Sequence, residues 1–248
     1  MSAEITSGPK RPLRLPRLPA PRHWLGIGLT LAVLVIAVGF LTRTVPDLTA
    51  DEMAVDQGFS RHHDPVLTTL ALALNLLFGP VGGVAIVAAV GLYLLLVRRS
   101  ADKAVVFVLT VCTGWLSSQL FKLIIGRVRP DPSLLFDPLV PEPVSNSFPS
   151  GHTSLAVAVV LAAFFIAEGT RAAKPLLWAG LVGAGIVAWS RVYIGAHYPL
   201  DVVAAFPATI AAVVLMAGLW NRHASGVDLL PRLRRSARNA PRRARIES

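Results

Sequence analysis

The chain has 248 residues, of which 54% are hydrophobic and only 15% are charged, and its formal net charge is +10. This composition excludes an ordinary soluble domain, in which about 25% of the residues are charged. The single cysteine, Cys112, excludes a disulfide framework and a cluster of thiolate metal ligands.

The positive charge is unevenly distributed along the chain. Eighteen of the 24 lysine and arginine residues lie in four segments: 1–23, 98–103, 168–174 and 221–248. In a protein with six membrane spans these segments share one face, which the positive-inside rule places in the cytoplasm. Nine acidic residues fall on the opposite face: Asp47, Asp51, Glu52, Asp56, Asp64, Asp131, Asp137, Glu142 and Asp201. The basic character therefore indicates membrane orientation, and we expect no nucleic-acid partner.

The N-terminal segment 1–23 combines five basic residues with several prolines, which predicts a disordered cytoplasmic segment. The first apolar run follows at 24–42. Its 19 residues are long for a signal peptide, although Leu48-Thr49-Ala50 faintly resembles a cleavage site, so we predict an uncleaved anchor.

An uncharged stretch from 66 to 97 follows the acidic outer segment 44–65 and is divided by Gly79-Pro80. The piece 66–78 is too short to span a bilayer comfortably. Counting it as a span would also place the Arg-rich C-terminus outside, so we predict an interfacial or tucked-in helix there.

The predicted fold class is all-α, an integral membrane bundle of six transmembrane helices. The predicted spans are 24–42, 80–97, 104–125, 153–167, 175–190 and 200–220. The fourth and fifth spans are short, so we expect their outer ends to enter a polar pocket inside the bundle. Residues 24–220 thus form one membrane domain, and the cytoplasmic tail 221–248 either lies on anionic headgroups or serves only as an orientation signal.

The segment Pro149-Ser150-Gly151-His152 lies where a proline-rich outer loop turns into the fourth span. Ser150 is a good N-cap, and the amides and partial positive charge at a helix N-terminus favour phosphate binding. The small Gly151 lets an anion approach the backbone, and His152 beside it can exchange a proton near neutral pH. Taken alone, the segment fits simple helix capping better than a catalytic site.

Three cations lie at helix ends on the same outer face: Lys122, Arg129 and Arg191. Arginine can hold phosphoryl oxygens with a planar pair of donors, and fixed cations stabilise a five-coordinate phosphorus transition state. The alternative for Lys122 is snorkelling to the lipid headgroups.

His197 and Asp201 are four residues apart at the start of the sixth span, with Pro199 suited to the first helical turn. A carboxylate in this position can keep one imidazole nitrogen protonated and leave the other free to attack phosphorus. The alternative is capping of the helix by Asp201. His197 is thus the candidate nucleophile, and His152 is the candidate general acid and then base.

Metal-ligand spacing is absent from the rest of the outer face, so we expect no catalytic metal and no cofactor. His62-His63 beside Asp64 fits a solvated loop pair better than a metal site.

Three motifs together resemble the signature of the membrane-bound type 2 phosphatidic acid phosphatase superfamily: Lys122-x6-Arg129-Pro130, Pro149-Ser150-Gly151-His152 and Ser190-Arg191-x5-His197-x3-Asp201. The match runs from Lys122 to Asp201, about a third of the chain. The resemblance implies a six-helix bundle of the lipid phosphate phosphatase and haloperoxidase type that works without metal through a phosphohistidine. It implies a phosphoryl-binding set consisting of Lys122, Arg129, Ser150, Gly151 and Arg191.

The same resemblance implies that His197 is the nucleophile, that His152 is the acid and that Asp201 orients His197. Arg127 lies outside the signature, and its role is open. Because the chain has six predicted spans, it does not fit the soluble vanadate-dependent haloperoxidases of the same superfamily.

The predicted function is hydrolysis of a lipid phosphate or diphosphate at the extracytoplasmic face of the cell membrane, with both termini cytoplasmic. Undecaprenyl (polyprenyl) diphosphate is the first candidate substrate, followed by phosphatidic acid and phosphatidylglycerol phosphate, because acyl and prenyl tails require the same kind of apolar groove. The alternative is a protein that binds or transports a phosphate lipid in the same cationic pocket without cleaving it. The expected partners are the lipid substrate and membrane lipids, and the oligomeric state is left open.

Overall fold

A computed structural model describes residues 16–141 and 146–224. Within these residues the chain forms eight α-helices and no β-strand, which confirms the all-α prediction. The helices are α1 Trp24–Thr44, α2 Pro46–Ser60, α3 Pro65–Phe78, α4 Pro80–Leu92, α5 Ala101–Ile125, α6 Gly151–Ala167, α7 Ala173–Tyr193 and α8 Pro199–His223. A π-helical turn, Tyr93–Val97, extends α4. Most of the predicted basic segments 1–23 and 221–248 lies outside the described residues.

Five helices are long and apolar enough to cross a membrane: α1, α4 with its π-helical turn, α5, α7 and α8. The chain is therefore a multi-pass membrane protein. The remaining predicted span is α6, an apolar helix of 17 residues. It packs against α5, α7 and α8, and eight of its residues are buried. Because other helices surround it, α6 does not need to present a full bilayer length of apolar surface to lipid.

The acidic segment 44–65, for which the sequence analysis predicted no helix, contains the helix α2. Pro46 occupies the first turn, where its missing N–H is not needed. The buried face of α2 is mostly polar and consists of Glu52, Met53, Asp56 and Ser60. Because this buried face is mostly polar, α2 lacks the apolar periodicity from which a helix is predicted in a sequence.

The close approach of α5, α6 and α8 depends on Gly114. A Cβ atom at this position would lie 2.7 Å from the Cβ of Ala158 and 2.8 Å from the Cγ2 of Thr209. Small residues let transmembrane helices pack backbone against backbone. This packing brings the C-terminal end of α5 beside the N-terminal ends of α6 and α8, where the predicted motifs lie.

Candidate active site

The three motifs meet at one end of the helix bundle. Gly126, with a φ of +64°, ends α5 and turns the chain toward Arg129. The Arg129 guanidinium donates to the Ala196 carbonyl at 3.0 Å, which joins the first motif to the third. The Ser150 amide donates to the Asp201 carbonyl at 2.9 Å, which joins the second motif to the third. All eight predicted site residues thus lie in one region.

A cavity of about 270 Å³ opens beside these helix ends. Its polar lining includes Lys122, Arg129, Gly151 and His152. Its apolar lining consists of Phe78, Pro80, Trp115 and Leu116. Lys122 therefore faces a cavity with a polar and an apolar wall, and its position does not require the snorkelling alternative. A cavity of this composition suits a phosphate group attached to an apolar chain.

His197 is fully buried between a carboxylate and a guanidinium. Its Nδ1 lies 3.3 Å from Oδ2 of Asp201, and its Nε2 lies 3.3 Å from NH1 of Arg129. Because a guanidinium only donates, Nε2 acts as the acceptor and Nδ1 carries the hydrogen. The i, i+4 spacing predicts that one ring nitrogen is kept protonated, and the contact with Arg129 identifies that nitrogen as Nδ1.

Burial lowers the pKa of His197 well below its ordinary value, and the charges of Arg129, Arg191 and Lys122 lower it further. A neutral imidazole is stabilised in such surroundings because its cationic form would be both desolvated and repelled. The neutral ring keeps a lone pair on Nε2, which accepts the hydrogen bond from Arg129. His197 itself does not line the 270 Å³ cavity, and the Arg129 side chain lies between the two.

Asp201 makes the contacts expected for both of its predicted roles. Besides contacting His197, its Oδ2 accepts the Tyr198 amide at 3.1 Å, which forms a capping box at the start of α8. Pro199 is the first residue of α8, as predicted. The catalytic and capping alternatives are therefore not exclusive, because the same oxygen serves the helix end and the imidazole.

The N-terminus of α6 has the predicted cap. The Ser150 hydroxyl accepts the Thr153 amide at 3.5 Å, and the helix begins at Gly151, two residues earlier than expected. A Cβ atom at Gly151 would make only ordinary contacts with Ser118 and Gln119, at 3.6 and 3.8 Å. Packing within the described residues therefore does not require glycine here, whereas a ligand at the helix end benefits from it.

Asn75 in α3 is a site residue that the sequence analysis missed. Its backbone carbonyl accepts Nε2–H of His152 at 3.1 Å, and its side-chain oxygen accepts NH1 of Arg191. The tucked-in helix thus holds two predicted site residues at once. A signal was present, since Asn75 is the sole amide or charged side chain between 66 and 97.

Arg127 and Glu52 are two further residues near the site. The guanidinium of Arg127 donates to Oδ1 of Asp201 at 2.8 Å and to Oε2 of Glu52 at 2.6 Å. Both Arg127 and Glu52 are buried. Of the two, only Arg127 could have been suspected from the sequence, because it is a basic residue two positions before Arg129.

The prediction of a solvated pair at His62-His63 holds for His62 and is wrong for His63. His62 is exposed, whereas His63 contacts Asp137 Oδ2 at 2.8 Å and the Tyr193 carbonyl at 3.0 Å. These contacts attach the loop after α5 to the corner between α2 and α3. Across residues 16–141 and 146–224, no three histidine, cysteine, aspartate or glutamate side chains form a group that could hold a metal ion.

Comparisons with known proteins extend these observations. The family model of the PAP2 superfamily matches residues 103–224. An undecaprenyl-diphosphatase of Sulfolobus acidocaldarius is 28% identical over 115 residues, which are 45% of this chain and 52% of that protein. Phosphatidylglycerophosphatase B of Bacillus subtilis is 30% identical over 198 residues, which are 77% of this chain and 93% of that protein. The chain thus spans about half of the first relative and nearly all of the second.

A solved structure has a similar fold. The crystal structure of a transmembrane PAP2-type phosphatidylglycerolphosphate phosphatase from Bacillus subtilis has a TM-score of 0.64 and 25% sequence identity. The similarity covers 81% of this chain and 96% of that chain. It therefore extends beyond the motif region to helices that precede α5.

Proposed function

We propose that this chain, which belongs to the PAP2 superfamily, hydrolyses the phosphate ester or diphosphate of a membrane lipid. One observation carries the proposal: the neutral His197 ring is fixed by Asp201 on one side and directs Nε2 toward the cations on the other. Binding of phosphate needs only cations, whereas an oriented imidazole adds a nucleophile.

In the first step, NH1 of Arg129 moves from Nε2 of His197 to a phosphoryl oxygen, and Nε2 then attacks phosphorus. The P–N bond forms while the bond from phosphorus to the leaving oxygen breaks, and the electron pair leaves with that oxygen, which is the lipid alcohol oxygen in a monoester and the bridging oxygen of the lipid monophosphate in a diphosphate. His152, protonated while the negatively charged phosphate is bound, gives its proton to the leaving oxygen. Lys122, Arg129 and Arg191 stabilise the charge of the five-coordinate transition state.

In the second step, a water oxygen attacks the phosphorus of the phosphohistidine. His152, now neutral, takes the proton of the water, the P–N bond breaks, and its electron pair returns to Nε2 of His197. Inorganic phosphate leaves, and His152 is again ready to act as an acid. Asp201 keeps the hydrogen of His197 on Nδ1 throughout, so that Nε2 is the nitrogen that reacts.

The proposed substrates are undecaprenyl diphosphate, phosphatidylglycerol phosphate and phosphatidic acid. The first two correspond to the names of the relatives in Sulfolobus acidocaldarius and Bacillus subtilis. The apolar wall of the cavity, including Phe78 and Trp115, supports a lipid over a soluble phosphate ester.

The direct test is phosphate release by the purified protein in detergent with EDTA present, measured on each of the three lipids. We expect turnover in the presence of chelator, because the proposed chemistry uses protein side chains alone. The ranking of the lipids names the substrate class. If the folded protein binds a lipid phosphate but releases no phosphate from any of the three, the binding or transport alternative is supported.

We also propose that the site opens extracytoplasmically at the cell membrane and that both termini are cytoplasmic. In a Cys112→Ser background, a cysteine at the exposed Ser133 should react with a membrane-impermeant maleimide in intact cells. A cysteine at the exposed Thr170, in the basic loop 168–174, should react only after permeabilisation. The reverse pattern would invert the orientation.

Replacing Asn75 by leucine should reduce kcat/KM about 10- to 100-fold, chiefly by raising KM. The variant removes the side-chain acceptor of the buried Arg191, and a hydrogen bond to a charged group contributes about 1.5–3 kcal/mol. Arg191 would then hold phosphate less firmly. Steady-state kinetics on the best lipid substrate measures the effect, and Leu76→Ala, at an exposed position of the same helix, is the control. An unchanged KM would contradict the role of Asn75.

A further inference from the structure

A buried group of charged side chains lies behind the His197–Asp201 pair, outside the lining of the 270 Å³ cavity. It consists of Glu52 from α2, Arg127 from the segment after α5, and Asp201 at the start of α8. Arg127 is the bridge: NH1 donates to Asp201 Oδ1 at 2.8 Å and NH2 to Glu52 Oε2 at 2.6 Å. The side chains of the three residues are at most 7% exposed.

Every oxygen of the two carboxylates is used. Oδ2 of Asp201 contacts His197 and accepts a hydrogen bond from the Tyr198 amide, and Oδ1 accepts one from Arg127. The second oxygen of Glu52, Oε1, accepts a hydrogen bond from the Leu200 amide at 2.6 Å. Glu52 therefore holds the turn before Asp201 both directly, through a backbone amide, and indirectly, through Arg127.

Arg127 also contacts this turn through its flat face. Its guanidinium carbon lies 4.1 Å from the centre of the Tyr198 ring, a cation–π distance. A planar fork that joins two carboxylates and stacks on a ring leaves little freedom for rotation, and lysine cannot reproduce that geometry.

A third carboxyl group, that of Asp56, lies beside these residues. Asp56 lies in the same buried region, and neither of its oxygens has a hydrogen-bond partner among the described residues. Burial raises the pKa of Asp56 to about 8, with smaller contributions from Asp201 and Glu52, while Arg127 opposes them. Asp56 is therefore mainly uncharged at neutral pH and adds little negative charge beside Arg127.

We propose that Arg127 and Glu52 are positioning residues, which hold Asp201 and, through it, the ring of His197 in the orientation for attack. The proposal rests on the proposed function. Glu52 lies outside the region 103–224 that the family model matches. Neither residue lines the 270 Å³ cavity, although Arg127 lines a neighbouring cavity of about 830 Å³. Loss of Glu52, which lines neither of these two cavities, should therefore affect the chemical step more than substrate binding.

The test compares Glu52→Gln with Asp51→Asn, which changes an exposed carboxylate on the same helix. We expect Glu52→Gln to lower kcat by about 10- to 100-fold, by analogy with the loss of the hydrogen-bond partners that orient metal-binding histidines. KM should stay within about threefold, and Asp51→Asn should match the wild type. Wild-type kcat in a folded Glu52→Gln variant would overturn the proposal.

The Asp201→Asn background separates positioning from general damage. If Glu52 acts through Asp201, adding Glu52→Gln to Asp201→Asn should cost less than about twofold further in kcat. A further loss as large as in the wild-type background would overturn the proposal. If Glu52→Gln does not fold, the same comparison is made with Arg127→Lys. This variant keeps the positive charge but loses the paired donors of the planar guanidinium.

A readout without turnover distinguishes failure of this inference from failure of the proposed function. Nitrogen-15 NMR of labelled histidine rings, with the His197 signal assigned by its loss in His197→Gln, reports which nitrogen carries hydrogen. We expect Nδ1–H in the wild type and a mixture of tautomers in Glu52→Gln. The same tautomer in both proteins would overturn the positioning role even if no lipid is hydrolysed.

Discussion

Replacing His197 by alanine should abolish phosphate release while leaving lipid binding intact. The variant removes the nucleophile, and loss of a nucleophile in a catalytic unit costs on the order of 10⁴- to 10⁶-fold in kcat. The cations Lys122 and Arg191 remain to hold the phosphate. The measurements are phosphate release from the best of the three lipids and binding of a fluorescent analogue of that lipid.

The His197→Ala experiment has a matched control and a second readout. His62→Ala removes an exposed histidine that makes no contact with the site and should retain wild-type kinetics. In the wild type, a substrate labelled on the transferred phosphoryl group should leave an acid-labile label on the protein after rapid quenching, and His197→Ala should not. A labelled His197→Ala protein would assign the nucleophile to another residue.

Replacing His152 by glutamine should have the second-largest effect and should depend on the leaving group. General acid catalysis contributes about 10²- to 10⁴-fold, so lipid alcohols, which leave poorly without a proton, should lose that much in rate. A nitrophenyl phosphate, whose oxygen leaves without protonation, should lose much less in phosphoenzyme formation. Single-turnover kinetics on the two substrate types measures the difference.

Removal of His152 should also slow the second step, because the same imidazole then takes a proton from water. We therefore expect the labelled phosphoenzyme to accumulate when His152→Gln acts on the activated ester. Equal losses on both ester types, with no accumulation, would contradict the acid–base role and would favour simple phosphate binding by His152.

The features predicted correctly depend on short stretches of chain. The spans follow from apolar length, since a helix in hydrocarbon must satisfy its own backbone groups. The cap at Ser150, the helix start at Pro199 and the contact between His197 and Asp201 follow from neighbours within four residues. Interactions over so short a distance along the chain depend on the local sequence alone, so these features could be predicted without knowledge of the fold.

The features that sequence analysis missed depend on contacts between distant segments. Glu52 and Arg127 are 75 residues apart, and Asn75 and Arg191 are 116 apart. Each partner alone resembles an ordinary surface or helix residue. The helix α2 was missed for the same reason, because its buried face is stabilised by charges from elsewhere and not by an apolar stripe.

The chain's composition and three spaced motifs were therefore enough to predict a multi-pass membrane protein and to single out eight residues that the fold brings to one region. The packing of the helices supplied the remainder: the position of Lys122 in a cavity wall, the hydrogen on Nδ1 of His197, and the support behind Asp201. The difference between what the sequence predicted and what only the fold supplied has a physical cause. Motif spacing and apolar length are local properties, whereas a buried charge is stabilised by partners that the folded bundle brings together.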